Sequence, residues 1–578
     1  MIRRIFLTAL ALMMCCAAVM AAPAKQVPFT HVQSDGSTVT LVMRGGEFNH
    51  SLMTMDGLTV ARSASGDYCY TAGGVMSDVM AHDKGARSIE EQAFIIAYRD
   101  QMTLESGARR APRRIDENSS PQVPRMGSPR IPIILVNYTD VSFINEDPAA
   151  TFQNQFNEKQ YSCLNYFQTQ SRGMFSPRFD ILGPVNLPQS RAYYGSNVYR
   201  YGQELDTQLG TMIYDACQGI SDNVDFSDYD NDGDGYVDVV VVLYAGVGEA
   251  QAYRYVPESV WPCQWDMQES LDWGCSTVGP FEMNGVTIDK YAVFYELEGS
   301  NDYSTNIDGV GTFCHEFGHC LGLPDFYPTN GASYYGMSSW DIMDNGCYLN
   351  NGHRPAGYTS YERHFMGWMD LIDPEENTQY VMAPLNTDDG TAVKVTNDAN
   401  PDEYYLLEYR TKTDWDEYLP AEGILILHVD YDPAAWDDNT PNNIGSHPRM
   451  SLIPADNVLS NSTNRNDLWP RGDLDSLTNN STPAAAVYTG GFMNKPITEM
   501  AVSDGFASFW YMKRAIVRQG DLNHDGEVNI ADITFLISGI LSGNQTEEMD
   551  LNNDGEVGIA DVSALISLIL GRQESIVQ

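Results

Sequence analysis

Two histidines four residues apart, His315 and His319, enclose a glutamate, and an aspartate follows at 325, within FCHEFGHCLGLPDFY from Phe313 to Tyr327. On a helix that spacing puts both imidazoles on one face, one turn apart, within reach of a single tetrahedral metal ion. Glu316 directly follows the first histidine, where its carboxylate can reach a water polarised by such a metal. It can take that water's proton and later pass it to a leaving amine. Gly322 and Pro324 supply a helix stop, and a sharp turn at Gly322 brings Asp325 back as a third ligand. The pattern predicts a catalytic zinc site with His315, His319 and Asp325 as ligands and Glu316 as general base. Glu362, in TSYERHF, is the rival for third ligand. Tyr358, Tyr361 and His364 are candidates for supporting an oxyanion.

Downstream, YYGMSSWDIMDNG offers a methionine in a tight turn. A Met beneath the metal marks the metzincin class, and Met343 is placed for that structural role.

Other residues suit a harder cation. DYDNDGDGYVD sets Asp230, Asp232, Asp234 and Asp238 at positions 1, 3, 5 and 9 of a glycine-kinked loop, an oxygen-rich arrangement that fits one calcium ion. Near the C-terminus, DLNHDGEVNIADITFLISGIL and DLNNDGEVGIADVSALISLIL form a repeat with a period of 29, beginning at Asp521 and Asp550. The first loop offers Asp521, Asn523, Asp525, Asn529 and Asp532, and the second Asp550, Asn552, Asp554 and Asp561, with Gly558 at position 9. Two calcium ions are expected here. Position 12 is Asp rather than Glu, and no full helix leads into the first loop. That combination resembles a type I dockerin over residues 519–573. The resemblance implies a small helical module, folded by calcium, with a cohesin-like receptor as partner.

These motifs need elements to hold them. RIPIILVNYTD, DVVVVLYAG and DKYAVFYELE read as buried strands, SCLNYFQTQSRGMF has helical spacing, and the alternation predicts an α/β (α+β) catalytic domain over 128–374. TAVKVTN, EYYLLEYR and GILILHVDY predict a β-rich region over 375–513. Ahead of both, residues 1–22 read as a signal peptide with a basic start at Arg3 and Arg4 and small residues at Ala21 and Ala22. Cys15 and Cys16 follow bulky methionines, which argues against a lipid anchor. Residues 23–127 read as a propeptide ending in a Pro/Ser-rich linker, where Arg109, Arg110, Arg113 and Arg114 offer a processing site. Cys69, Glu47 and Asp56 are candidates for holding the metal in a latent precursor. Cys263 and Cys275 flank a Trp-rich loop and could pair after export.

The 578 residues carry 78 acids against 34 lysines and arginines, a net charge of -44 that repels phosphate backbones and excludes nucleic acid as a partner. No stretch after the leader is long and apolar enough for a transmembrane anchor.

FCHEFGHCLGLPDFY, SSWDIMDNG and RPAGYTSYERHFMGWM, taken in series with FSDYDNDGDGYVDVVVVLYAG before them, resemble the immune inhibitor A-type secreted metallopeptidases over residues 128–513. The resemblance implies a metzincin-like endopeptidase acting on proteins or peptides, with zinc on His315, His319 and Asp325 and Glu316 as base. It also implies that the β-rich region belongs to the peptidase unit. The expectation is a secreted multidomain zymogen, recruited to a surface or complex through its dockerin-like module. The alternative is a non-catalytic, calcium-dependent surface-assembly or binding protein on a peptidase fold.

Overall fold

The computed structural model describes residues 20–46, 50–102, 123–200, 203–332, 334–514, 519–523 and 527–574. The expected leader up to Val19, Glu47, residues 103–122 of the expected linker and Asp525 lie outside them. The chain divides into two compact units, one built on residues up to Pro374 together with Tyr380–Phe509, the other on Glu375–Gln379 with residues from Trp510 onward.

The first unit is organised by a six-stranded sheet. Its strands are β1 (Met20–Ala21), β2 (Arg130–Asn137), β3 (Arg178–Asn186), β4 (Val240–Val247), β5 (Cys263–Asp266) and β6 (Lys290–Leu297), in the order β1-β5-β6-β4-β2-β3. From β6 through β3 the pairs are parallel, while β5 runs antiparallel to β6 and β1 antiparallel to β5. Parallel strands covered on both faces read as unbroken apolar runs, and all eight residues of β4 are buried. The three sequence runs expected as buried strands are β2, β4 and β6.

Alternation along these strands separates two cores. Ile131, Ile133, Leu135, Val241, Leu243, Ala292 and Phe294 share one with Phe313 and Phe317 of helix α2 (Gly311–Cys320) and with helix α1 (Cys163–Gln170). Ile134, Val136, Val242, Tyr244, Val293 and Tyr295 share the other with helix Leu209–Ile220 and with Val39, Leu41, Tyr70 and Ile95. Those last four belong to the segment ahead of the linker, two three-stranded antiparallel sheets followed by helix Ile89–Met102. The segment therefore shares a core with the central sheet.

The β-rich region contributes an antiparallel sheet of β7 (Ala392–Asn397), β8 (Asn400–Arg410), β9 (Gly423–Asp430) and β10 (Met450–Leu452). Leu406, Leu425, Leu427 and Met450 lie in the same core cluster as Phe313 and Phe317. The region is thus continuous with the core that carries α2.

In the second unit, helices α4 (Ile530–Ser542) and α5 (Ile559–Glu574) close a small core around Leu522, Leu536, Met549 and Leu565. Helix α3 (Ser360–Phe365), back in the first unit, lies after the methionine turn. Among the described residues no helix is long and apolar enough to cross a membrane.

Candidate metal centre and active site

Every residue of α2 is buried. The helix stops at Gly322, whose φ of +95° places it in the left-handed region while Leu323 N–H bonds back to Gly318 O at 3.1 Å. This is the sharp turn expected from the sequence, and it carries the chain back to Asp325.

The two imidazoles are fixed by their far nitrogens. His315 Nδ1 lies 2.7 Å from Ile342 O and His319 Nδ1 lies 2.8 Å from Leu323 O. A carbonyl only accepts, so both rings carry the proton on Nδ1 and turn a lone pair outward from Nε2. Those two Nε2 atoms stand 3.1 Å apart, and Asp325 Oδ1 stands 3.1 and 3.3 Å from them. Burial favours neutral His319 by lowering its pKa. Burial raises Asp325; the His319 and His315 imidazoles, when protonated, oppose that and bring its pKa to about 2. Two nitrogen lone pairs and a carboxylate thus face one buried point, a donor set that fits zinc. Glu316 follows His315 on the same helix and is wholly buried.

Glu362 does not join them. Its Oε2 accepts from Thr359 N–H at 2.6 Å, closing a capping box at the start of α3. The T-x-x-E signature of that box, Thr359 to Glu362, was present in the sequence and explains the residue without a metal. Tyr358 hydroxyl donates to Cys314 O at 3.3 Å, Tyr361 packs against Phe326 and Trp436, and His364 Nδ1 pairs with Met369 O at 3.0 Å. These three candidates for oxyanion support are engaged elsewhere. Met343 is buried in its turn, with its N–H on Asp341 Oδ1 at 2.7 Å.

Two residues with no warning in the sequence complete the site. Asn439, from the β-rich region, hydrogen-bonds Asp325. Tyr348 reaches the segment that lies over Glu316. There Ala22 N–H donates to Glu316 Oε1 at 2.6 Å, and Ala21 pairs with Cys263 on the edge of the sheet. The latency candidates sit elsewhere: Cys69 is a buried strand residue whose thiol burial pushes up, and Asp56 pairs with Arg87 at 2.6 Å. Cys263 and Cys275 are both buried.

Among the described residues one other acidic group brings ligand atoms within 4.8 Å of one another, Asp230, Asp232 and Asp238. Asp234 is outside it, its Oδ1 accepting from Tyr236 N–H at 2.8 Å. Burial pushes Asp238 up to about 6; hydrogen bonds from Asn231 oppose that rise, and Asp232 and Asp230 add to it. A cation between these carboxylates would relieve the crowding. The loop follows the template of the C-terminal one. Asp230 accepts from the N–H groups of Asp234 and Gly235 at 3.0 and 3.1 Å, and Asp550 from those of Asp554 and Gly555 at 3.1 and 2.9 Å. In the C-terminal pair, Asp532 and Asp561 each accept three backbone N–H groups of their own loop, while Asn529 caps α4.

Residues 136–369 match the family described as immune inhibitor A peptidase M6, catalytic domain, and residues 519–570 match the dockerin type I domain. The chain carries an M6 peptidase catalytic domain and a type I dockerin domain. The M6 match brackets α2, Asp325 and Met343, and the dockerin match brackets both repeats. Such domains imply zinc and calcium respectively. Similar proteins include immune inhibitor A of Bacillus thuringiensis subsp. alesti, 23% identical over 295 residues, covering 42% of this chain and 41% of that protein. Pre-pro-metalloprotease PrtV of Vibrio cholerae serotype O1 (strain M66-2) is 24% identical over 263 residues, covering 40% of this chain and 27% of PrtV. The similarity therefore spans less than half the length of either relative.

Proposed function

We propose that this chain is a secreted zinc-dependent endopeptidase, made as a zymogen and recruited to a surface or complex through its dockerin domain. The observation that carries this reading is the convergence of His315 Nε2, His319 Nε2 and Asp325 Oδ1 on one point, with Glu316 one residue beyond the first ligand. Zinc held there would polarise a peptide carbonyl and lower the pKa of a water. The chain's own groups do the rest. Ile342 O and Leu323 O hold the imidazole tautomers, Asp325 supplies negative charge, and Glu316 takes the water proton and delivers it to the leaving amine.

Met343 packed beneath the helix supports the metzincin-like assignment. Residues 23–25, which follow the expected leader and meet the catalytic unit through Pro23 O on Tyr348 and Lys25 N–H on Ala250 O, support a latent precursor, with cleavage in the arginine-rich linker as the step that begins its release. The shared loop template supports one calcium ion at Asp230, Asp232 and Asp238, in addition to two in the dockerin domain, whose partner would be a cohesin-like receptor.

Casein hydrolysis by the chain after limited trypsin treatment, beside Glu316→Ala, tests this reading. Cleavage by the first alone, with zinc bound to both, is the expected result. Equal inertness with zinc bound to both favours the binding-protein alternative.

A further inference from the structure

Residues 22–25 are held almost entirely through their main chain. Ala22 N–H meets Glu316, and Ala22 O accepts from the indole N–H of Trp261 at 3.1 Å. Pro23 O accepts from the hydroxyl of Tyr348 at 2.7 Å, and Ala24 and Lys25 donate to Gly45 O and Ala250 O at 2.7 and 3.1 Å. Just ahead, Met20 and Ala21 add an antiparallel strand to the edge of β5. Side-chain contacts are few: Ala22 and Ala24 are small and fully buried, and the Lys25 ammonium lies 3.4 Å from Gln251 Oε1 and 5.8 Å from the centre of the Tyr348 ring.

Trp261 and Tyr348 belong to the M6 domain, not to the segment they hold. Trp261 is wholly buried with the segment in place, and its indole N–H loses its acceptor, Ala22 O, when the segment leaves. Backbone carbonyls presented by another extended chain supply the same two acceptors in the same order. We propose that Trp261 and Tyr348 bind the main chain of the peptide substrate, donating to two successive carbonyls of a strand laid antiparallel to β5. Tyr348 is thereby a substrate-contacting residue of the cleft. The inference rests on the peptidase reading for its consequence but not for its test.

The test uses the trypsin-treated chain in a Glu316→Gln background, whose amide oxygen still accepts and where turnover cannot intrude. Two fluorescent peptides spanning residues 18–27 are compared by anisotropy, the parent and an analogue with the Pro23 carbonyl replaced by methylene. The ratio of their affinities cancels competition from the chain's own segment. With Tyr348 present, the parent should bind about tenfold more tightly. Tyr348→Phe, which keeps the ring, should bring that ratio to about one. Trp261→Phe should do the same for an analogue lacking the Ala22 carbonyl. A ratio unchanged by Tyr348→Phe, or no binding of the parent, overturns the proposal. If casein stays intact while the ratio behaves as described, the peptidase reading fails and the peptide cleft stands.

Discussion

Asn439 grips Asp325 at both ends of its amide: Nδ2 donates to Asp325 Oδ2 at 2.7 Å, and Oδ1 accepts from Asp325 N–H at 2.7 Å. The two residues are 114 positions apart, and Asn439 adopts a φ of +54° to make the pair. One asparagine therefore fixes both the main chain and the carboxylate of the third ligand. It leaves Asp325 Oδ1 turned toward the histidines.

Replacing Asn439 with alanine should weaken zinc binding by about 10- to 100-fold, the usual effect of losing a group that orients a ligand. Competition against a calibrated chelator measures this. Circular dichroism should remain that of the native chain, which separates the effect from unfolding.

Gly318 lies so close to the methionine turn that a Cβ there would stand 2.7 Å from Met343 Sδ. Gly318→Ala should therefore cost about 1–3 kcal/mol of stability, the range for overpacking a filled core. Pairing it with Met343→Ala should recover part of that loss. Urea denaturation of the single and double variants checks the coupling.

The β-rich region carries its own pH dependence. Burial alone would raise Glu403, but hydrogen bonds from His428 and from the N–H groups of Tyr488 and Thr489 bring its pKa down to about 2. A depressed carboxyl stabilises the fold above its unfolded pKa near 4.5, and that contribution is lost as pH falls toward 2. Glu403→Gln should melt lower than wild type at pH 6, and the gap should narrow steadily between pH 4.5 and 2. Melting curves across that window decide it. A constant gap would refute the assignment.

In the dockerin domain, Asp561 accepts from Leu551, Asn552 and Gly558 N–H groups, as Asp532 does from Leu522, Asn523 and Asn529. Asp561→Ala should cost at least about 1–3 kcal/mol, since it abandons several backbone donors at once. The loss should appear with calcium present, the state in which the module folds. Hydrogen exchange at α5 reads it without interference from the first unit.

Local patterns carried most of the site. Spacing alone placed His315 and His319 on one face with Glu316 next to the first of them, and the glycine at 322 announced the turn that returns Asp325. Continuous apolar runs announced β2, β4 and β6 because strands buried on both faces need no polar alternation. What escaped was set by long-range packing. No neighbour of Asn439 in sequence hints that it meets Asp325, and Tyr348 differs in no local feature from Tyr358. Glu362 misled because a capping glutamate and a ligand glutamate are the same residue until the helix start is recognised. Asp234 has the right offset, and its Oδ1 accepts from Tyr236 N–H as Asp554 Oδ1 accepts from Glu556 N–H in the C-terminal loop.

The eight described cysteines are all buried thiols. Burial pushes several of them, Cys217 and Cys320 among them, well above the ordinary range, so they resist alkylation while the fold holds. A thiol-reactive dye added to the native chain should stay dark, then report each opening of the interior without any engineered label.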